Sequence, residues 1–174
     1  MKYFLCKRNV YFAKVNEKAI LPNKKEEDAG YDLYACFDDD YIEIKPTETK
    51  LVPTGIAWAS SPKFYMQIEE RSSTGSKGIK RNAGIIDSGY RGEIKIAIYN
   101  STKNTLIISN IEEKELRDKY DLPKEILLYS TKKAIAQGVI HRVEKMKVKT
   151  LSYNELLKIP SSRGDKGFGS TNKN

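Results

Sequence analysis

The chain is predicted to be all-β, a sandwich or barrel of short strands with one or two short helices. Three observations predict this. Short β-branched runs recur between turn signals along most of the 174 residues. Residues 93–99 place Ile94, Ile96 and Ile98 on one face at a period of two. Only two stretches carry a helical pattern. In chain order, Tyr41–Ile44 alternates, and residues 51–58 are β-branched but interrupted by Pro53 and Gly55. Residues 64–68 follow the turn signal of Pro62, and 105–109, 134–143 and 145–148 supply further strands. Residues 111–120 read as a charged helix with Glu113/Arg117 and Glu115/Lys119 at i,i+4 spacing. Ser152, with Glu155 three residues later, has the capping-box pattern of a second helix near the C-terminus. Residues 158–162 then link to a polar, glycine-rich end. Trp58 reads as core.

Composition narrows the function classes. Hydrophobic residues are 39% and charged residues 31%, as in a soluble globular protein of one domain. No apolar run is long enough for a membrane span, and the first eight residues are too weakly apolar for a signal peptide, so a cytoplasmic location is expected. The net charge is +8, but the lysines are dispersed rather than interleaved with aromatics in a block. That pattern fits a solvated surface or attraction of a small polyanion, and no specific nucleic-acid binding is expected. Cys6 and Cys36 lack metal or redox spacing and read as reduced thiols. His141 is the one histidine and lies in an alternating run, so a histidine-based metal or nucleophile site is poorly supported.

Five stretches carry chemistry. Arg163-Gly-Asp-Lys-Gly-Phe-Gly-Ser-Thr171 is too polar and glycine-rich for core. Its arginine can fork onto phosphate, Phe168 can stack on a base, and the N–H groups of Gly169, Ser170 and Thr171 can form an anion-binding nest. It reads as a lid over a nucleotide, the alternative being an ordinary polar terminus. Arg71-Ser-Ser-Thr-Gly-Ser-Lys-Gly78, at a strand exit, is a phosphate cradle in composition but lacks P-loop spacing. Asn82-Ala-Gly-Ile-Ile-Asp-Ser-Gly-Tyr-Arg-Gly-Glu93 reads as a hairpin mouth presenting Asp87 and Tyr90 together, or as a plain β-turn. Asp32 sits among small residues, and Gln137 follows Ile135-Ala136 at a strand position.

Taken in chain order, Ala29-Gly-Tyr-Asp-Leu-Tyr-Ala35, Arg71-Ser-Ser73, Gly84-Ile-Ile-Asp-Ser-Gly-Tyr-Arg-Gly-Glu93, Ala134-Ile-Ala-Gln137 and the terminal stretch resemble the five motifs of the trimeric dUTP diphosphatases (dUTPases), in a bacterial or bacteriophage-like form. The resemblance implies a distorted jelly-roll β-barrel, a homotrimer with sites shared between subunits, and Mg2+-assisted hydrolysis of dUTP to dUMP and diphosphate. Such a reaction limits uracil incorporation into DNA and supplies dUMP for thymidylate synthesis. It implies that Asp87 activates the attacking water and that Tyr90 lies under the deoxyribose. The backbone of Gly84, Ile85 and Ile86, with Asn82 and Lys95 nearby, would read uracil. Arg71, Ser72, Ser73 and Gln137 would hold phosphate oxygens. Asp32 would bind Mg2+ indirectly, through its waters. Arg163, Ser170 and Thr171 would grip the γ-phosphate, with Gly169 in the turn and Phe168 over the base.

The resemblance also marks departures. Glu70 stands where the family has proline, and Asn82 stands five residues before Asp87, one fewer than the family's asparagine. Lys132-Lys133 replaces a Gly-Asp turn, and Gly138 replaces an apolar residue. Residues 101–133 are longer than compact members need and read as an insert, which could carry a protein partner. The expected organisation is a β domain over residues 1–162, including that insert, and a flexible C-terminal lid over 163–174. Two other functions fit the same features: a dCTP deaminase-like enzyme, and the same fold acting as a regulatory protein-binding module through the insert.

Overall fold

The turn signals divide the chain into twelve short strands and three short helices in a computed structural model that describes residues 9–165. The first half holds β1 (Val10–Lys14), β2 (Gly30–Leu33), β3 (Tyr41–Ile44), β4 (Thr49–Pro53), β5 (Ile56–Ser60), β6 (Phe64–Glu69), α1 (Ser72–Gly75), β7 (Ile79–Arg81) and β8 (Ile85–Asp87). The second half holds β9 (Lys95–Asn100), β10 (Thr105–Ser109), α2 (Glu113–Lys119), β11 (Ile126–Ser130), β12 (Ala136–Arg142) and α3 (Tyr153–Leu157). The fold is all-β, as predicted. The strands form four small sheets in the orders β1-β5, β11-β10-β3, β2-β12-β6-β8 and β4-β9-β7. All pair antiparallel except β10 and β11, which run parallel and are joined across α2.

One apolar core is shared by all four sheets. Leu33, Ile44, Val52, Trp58, Ile68, Ile79, Ile96, Leu106 and Ile135 all belong to it. The expected face of Ile94, Ile96 and Ile98 is buried throughout, although Ile94 lies just before the first residue of β9. Leu106, Ile107 and Ile108 are all fully buried, so β10 is core structure, whereas in the sequence reading it lay within the insert.

One expectation is corrected and two gain detail. Residues 51–58 are two strands, because Gly55 adopts φ +65 and turns the chain. A Cβ there would lie 2.8 Å from that of Ala19, and its N–H donates to Glu93 Oε1 at 2.7 Å. Residues 145–148 are not a strand; Met146 and Val148 are exposed, so their alternation meets no sheet face. The Arg71 stretch leads into α1, where the buried Thr74 hydroxyl accepts the Arg71 N–H at 3.1 Å.

The helical expectations hold. In α2, Arg117 Nη2 lies 3.0 Å from Glu113 and Lys119 Nζ lies 2.9 Å from Glu115, with Leu116 as its buried anchor. In α3, Ser152 Oγ accepts the Glu155 N–H while Glu155 accepts the Ser152 N–H. The chain divides into two compact units, residues 1–143 and 144–174, the second containing α3.

Candidate active site

The four-stranded sheet brings the first, second and fourth chemical stretches together. β12 lies between β2 and β6, so Gln137 pairs with Asp32 on one side and Glu69 on the other. Arg71 leaves the end of β6 two residues later. The result is a polar depression of about 350 Å3 lined by Asp28, Ala29, Gly30, Asp32, Arg71, Ser72, Ser73 and Gln137. Gly30 leaves room for the glutamine, because a Cβ there would lie 2.8 Å from Gln137 Oε1. The Gln137 amide donates to the Glu70 carbonyl at 2.9 Å. The Arg71 guanidinium is held by Asp32, with Nε 3.0 Å from Oδ1, and donates from Nη1 to the Ala134 carbonyl at 3.1 Å. Ser72 and Ser73 are exposed beside it.

The departures from the family pattern have local explanations. Glu70 staples β7, accepting the Arg81 N–H at 3.1 Å. Burial pushes its carboxyl up, but backbone N–H donors and the Arg81 guanidinium outweigh burial and hold it below the usual range. A Cβ at Gly138 would lie 2.6 Å from Met66 Sδ, so Met66 occupies the space of the missing apolar side chain. The turn at 130–133 is closed by the Lys133 N–H on the Ser130 carbonyl at 3.0 Å, with Ser130 Oγ accepting the Lys132 N–H, and needs no glycine.

The third stretch builds a separate depression of about 330 Å3, lined by Leu51, Ile85, Ile86, Asp87, Tyr90, Glu93 and Lys95. β8 pairs with β6 through Tyr65↔Asp87 and Gln67↔Ile85. The turn is fixed by the Tyr90 N–H on the Asp87 carbonyl at 3.1 Å. The Tyr90 hydroxyl donates to the Glu93 carbonyl at 3.0 Å, which lays its ring over Gly92. Leu51 and Ile85 are exposed, at 64% and 66%, and offer apolar walls to a planar ligand. Asp87 is exposed beside them. The Gly84 carbonyl accepts the Ile68 N–H at 2.7 Å, and Lys95 Nζ lies 3.8 Å from Glu93.

One expected site residue is placed elsewhere. The Asn82 amide donates to Thr49 Oγ1 at 2.7 Å. Arg163 belongs to the second unit, where its N–H donates to Ser161 Oγ at 3.2 Å. Phe168, Gly169, Ser170 and Thr171 lie outside the described residues.

Sequence reasoning missed Asp28 and Gly30 as lining of the polar depression, although Gly30 falls within the stretch that contains Asp32 and Asp28 directly precedes it. It also missed Tyr129 beneath that depression, whose hydroxyl donates to the Ala134 carbonyl at 2.6 Å. The run Ile126-Leu-Leu-Tyr129 between turn residues was the available strand signal. The described residues contain no cluster of three or more His, Cys, Asp or Glu side chains able to hold a metal. No helix among them is long and apolar enough to cross a membrane.

An arginine, two hydroxyls and an amide suit a polyanion, while an apolar-walled hairpin with a carboxylate suits a planar base and its sugar. Together they define a nucleotide-binding all-β protein. The dUTPase family model matches residues 16–112, more than half of the chain. A deoxyuridine 5'-triphosphate nucleotidohydrolase of variola virus is 33% identical over 168 residues, covering 93% of this chain and 92% of that one. The Pol polyprotein of caprine arthritis encephalitis virus is 33% identical over 162 residues, covering 93% of this chain but only 12% of the polyprotein. Among solved structures, a mutant dUTPase from phage phi11 of S. aureus, described with a structural Mg(II) ion, superposes with TM-score 0.62 at 22% identity, covering 83% of this chain and 97% of that one. The chain belongs to the dUTPase family.

Proposed function

We propose that this chain hydrolyses dUTP to dUMP and diphosphate as a homotrimer, inside the cell, where the reaction limits uracil in DNA and supplies dUMP. The observation that carries the reading is the pair of depressions on one β domain, one polar and anion-binding, one apolar with Asp87 at its edge. Asp87 orients and deprotonates the water that attacks the α-phosphorus. Arg71, Ser72, Ser73 and Gln137 bind phosphate oxygens and stabilise the charge that develops on them. Tyr90 occupies the space a 2′-hydroxyl would need, and the backbone of Gly84, Ile85 and Ile86 faces the uracil edge. Asp32 would hold Mg2+ through the ion's waters, and the ion would supply charge neutralisation there. Asp32, on the wall of the polar depression, is a carboxylate suited to accept from those waters, whereas no three-ligand cage is built among the described residues.

Strand register supports a site shared between copies. Gln137 pairs with Glu69 and Asp87 with Tyr65, at opposite ends of β6 and on opposite sides of it. Four residues along a strand and two strand spacings across put them roughly 17 Å apart. A water on the α-phosphorus must lie within hydrogen-bond reach of Asp87, so one copy supplies the phosphate cradle and another supplies the hairpin. Arg163 and the stretch that follows it serve as the lid, gripping the γ-phosphate. The outer face of α2, exposed around the single buried Leu116, is where a protein partner would dock.

Assays of diphosphate and ammonia release from dUTP and dCTP with Mg2+, with light scattering for mass, test the reading. Diphosphate from dUTP by a trimer is expected. Ammonia from dCTP, or full activity in a monomer, would overturn it.

A further inference from the structure

Tyr129 lies on β11, within the segment that reads as an insert, yet it reaches the phosphate cradle. Its ring is 4% exposed and packs in the shared core. Phenylalanine would fill that space without needing a partner for a polar atom. Instead the hydroxyl donates to the Ala134 carbonyl at 2.6 Å, and the same carbonyl accepts Arg71 Nη1 at 3.1 Å. A carbonyl oxygen has two lone pairs, so both donors are satisfied together. The rest of the guanidinium rests on Asp32. Arg71 therefore has two supports, and the position of one of them is set by Tyr129. Burial pushes the Tyr129 phenol up, while the nearby Arg71 charge acts against it.

We propose that Tyr129 is a positioning residue for phosphate binding: it fixes the Ala134 carbonyl, and through it the Arg71 guanidinium, beneath the triphosphate. The proposal rests on Arg71 being a phosphate ligand. It makes β11 a support of the active site.

The test is a double-mutant cycle in the full chain. Tyr129→Phe should raise the Kd of a non-hydrolysable dUTP analogue, and lower kcat/KM for dUTP, by about fivefold, the size of one hydrogen bond between neutral groups. In an Arg71→Ala background the same change should alter analogue binding by less than about twofold, because no guanidinium remains to be positioned. Binding of deoxyuridine, which carries no phosphate, should be unchanged in every variant. Equal losses in both backgrounds, a matching loss of deoxyuridine binding, or no loss in Tyr129→Phe would overturn the proposal. If Arg71→Ala leaves analogue binding intact, the phosphate-ligand reading fails as well. Should Tyr129→Phe not fold, Tyr129→Leu carries the same cycle.

Discussion

Replacing Gly30 with alanine should damage catalysis through Gln137 while leaving the fold standing. The new Cβ would meet Gln137 at three atoms, Oε1 at 2.8 Å, Cβ at 3.0 Å and Cδ at 3.2 Å. The glutamine must then rotate and release the Glu70 carbonyl, which its amide now holds at 2.9 Å. The lost hydrogen bond costs about 1 kcal/mol and an off-rotamer side chain about another 1 kcal/mol. A domain stable by about 5–15 kcal/mol survives that loss. Catalysis is more exposed, since misplacing one donor to a reacting phosphate costs roughly a hundredfold. We therefore expect kcat/KM for dUTP to fall ten- to about a hundredfold, read by steady-state diphosphate release. Gln137→Ala should fall similarly, and the double variant no further. A folded Gly30→Ala enzyme with kcat/KM within twofold of the parent would refute the reasoning.

Asp87→Asn should lower kcat by about a hundredfold or more while the Kd of a dUTP analogue stays within about threefold; near-normal turnover would remove Asp87 as the base. Tyr90→Ala should narrow the ratio of kcat/KM between dUTP and UTP, and an unchanged ratio would place sugar selection elsewhere. Glu70→Gln should show a pH signature in thermal melts. The Glu70 carboxyl is held below its ordinary value of 4.5, so its contribution to stability is complete above that pH and is lost as pH falls through the depressed value. The variant should melt below the parent at pH 7, and the gap should narrow as pH is lowered below the ordinary value of 4.5; a gap that stays constant with pH would assign the effect to packing rather than charge.

What was legible in the sequence was local. The period-two isoleucines of β9, the i,i+4 pairs of α2 and the capping box of α3 each depend on neighbours within a few residues, and each is present. Asp32, Arg71, Ser72, Ser73 and Gln137 were legible as chemistry. Their juxtaposition was not, because it depends on β12 entering between β2 and β6 with Gln137 opposite Asp32. That register is set by strands distant in the chain, and no local pattern encodes it. The alternation at residues 145–148 misled because period two describes side-chain directions, not the presence of a partner strand. Tyr129 was overlooked because an aromatic residue in an apolar run is ordinary core. Only its hydroxyl, aimed at Ala134, distinguishes it.

The order of strands in the four-stranded sheet also sets a timetable for synthesis. β12, which joins β2 to β6, is the last strand of the sheet to leave the ribosome. Ala136 at the start of β12 lies 67 positions after Glu69 at the end of β6. At translation rates of about 5–20 residues per second, β6 waits roughly 3–13 seconds with one edge uncovered. During that interval the nascent chain has Arg71 and Asp32 but no sheet to hold them together. Fragments ending before residue 136 are therefore expected to be chaperone clients, with open strand edges and no working cradle.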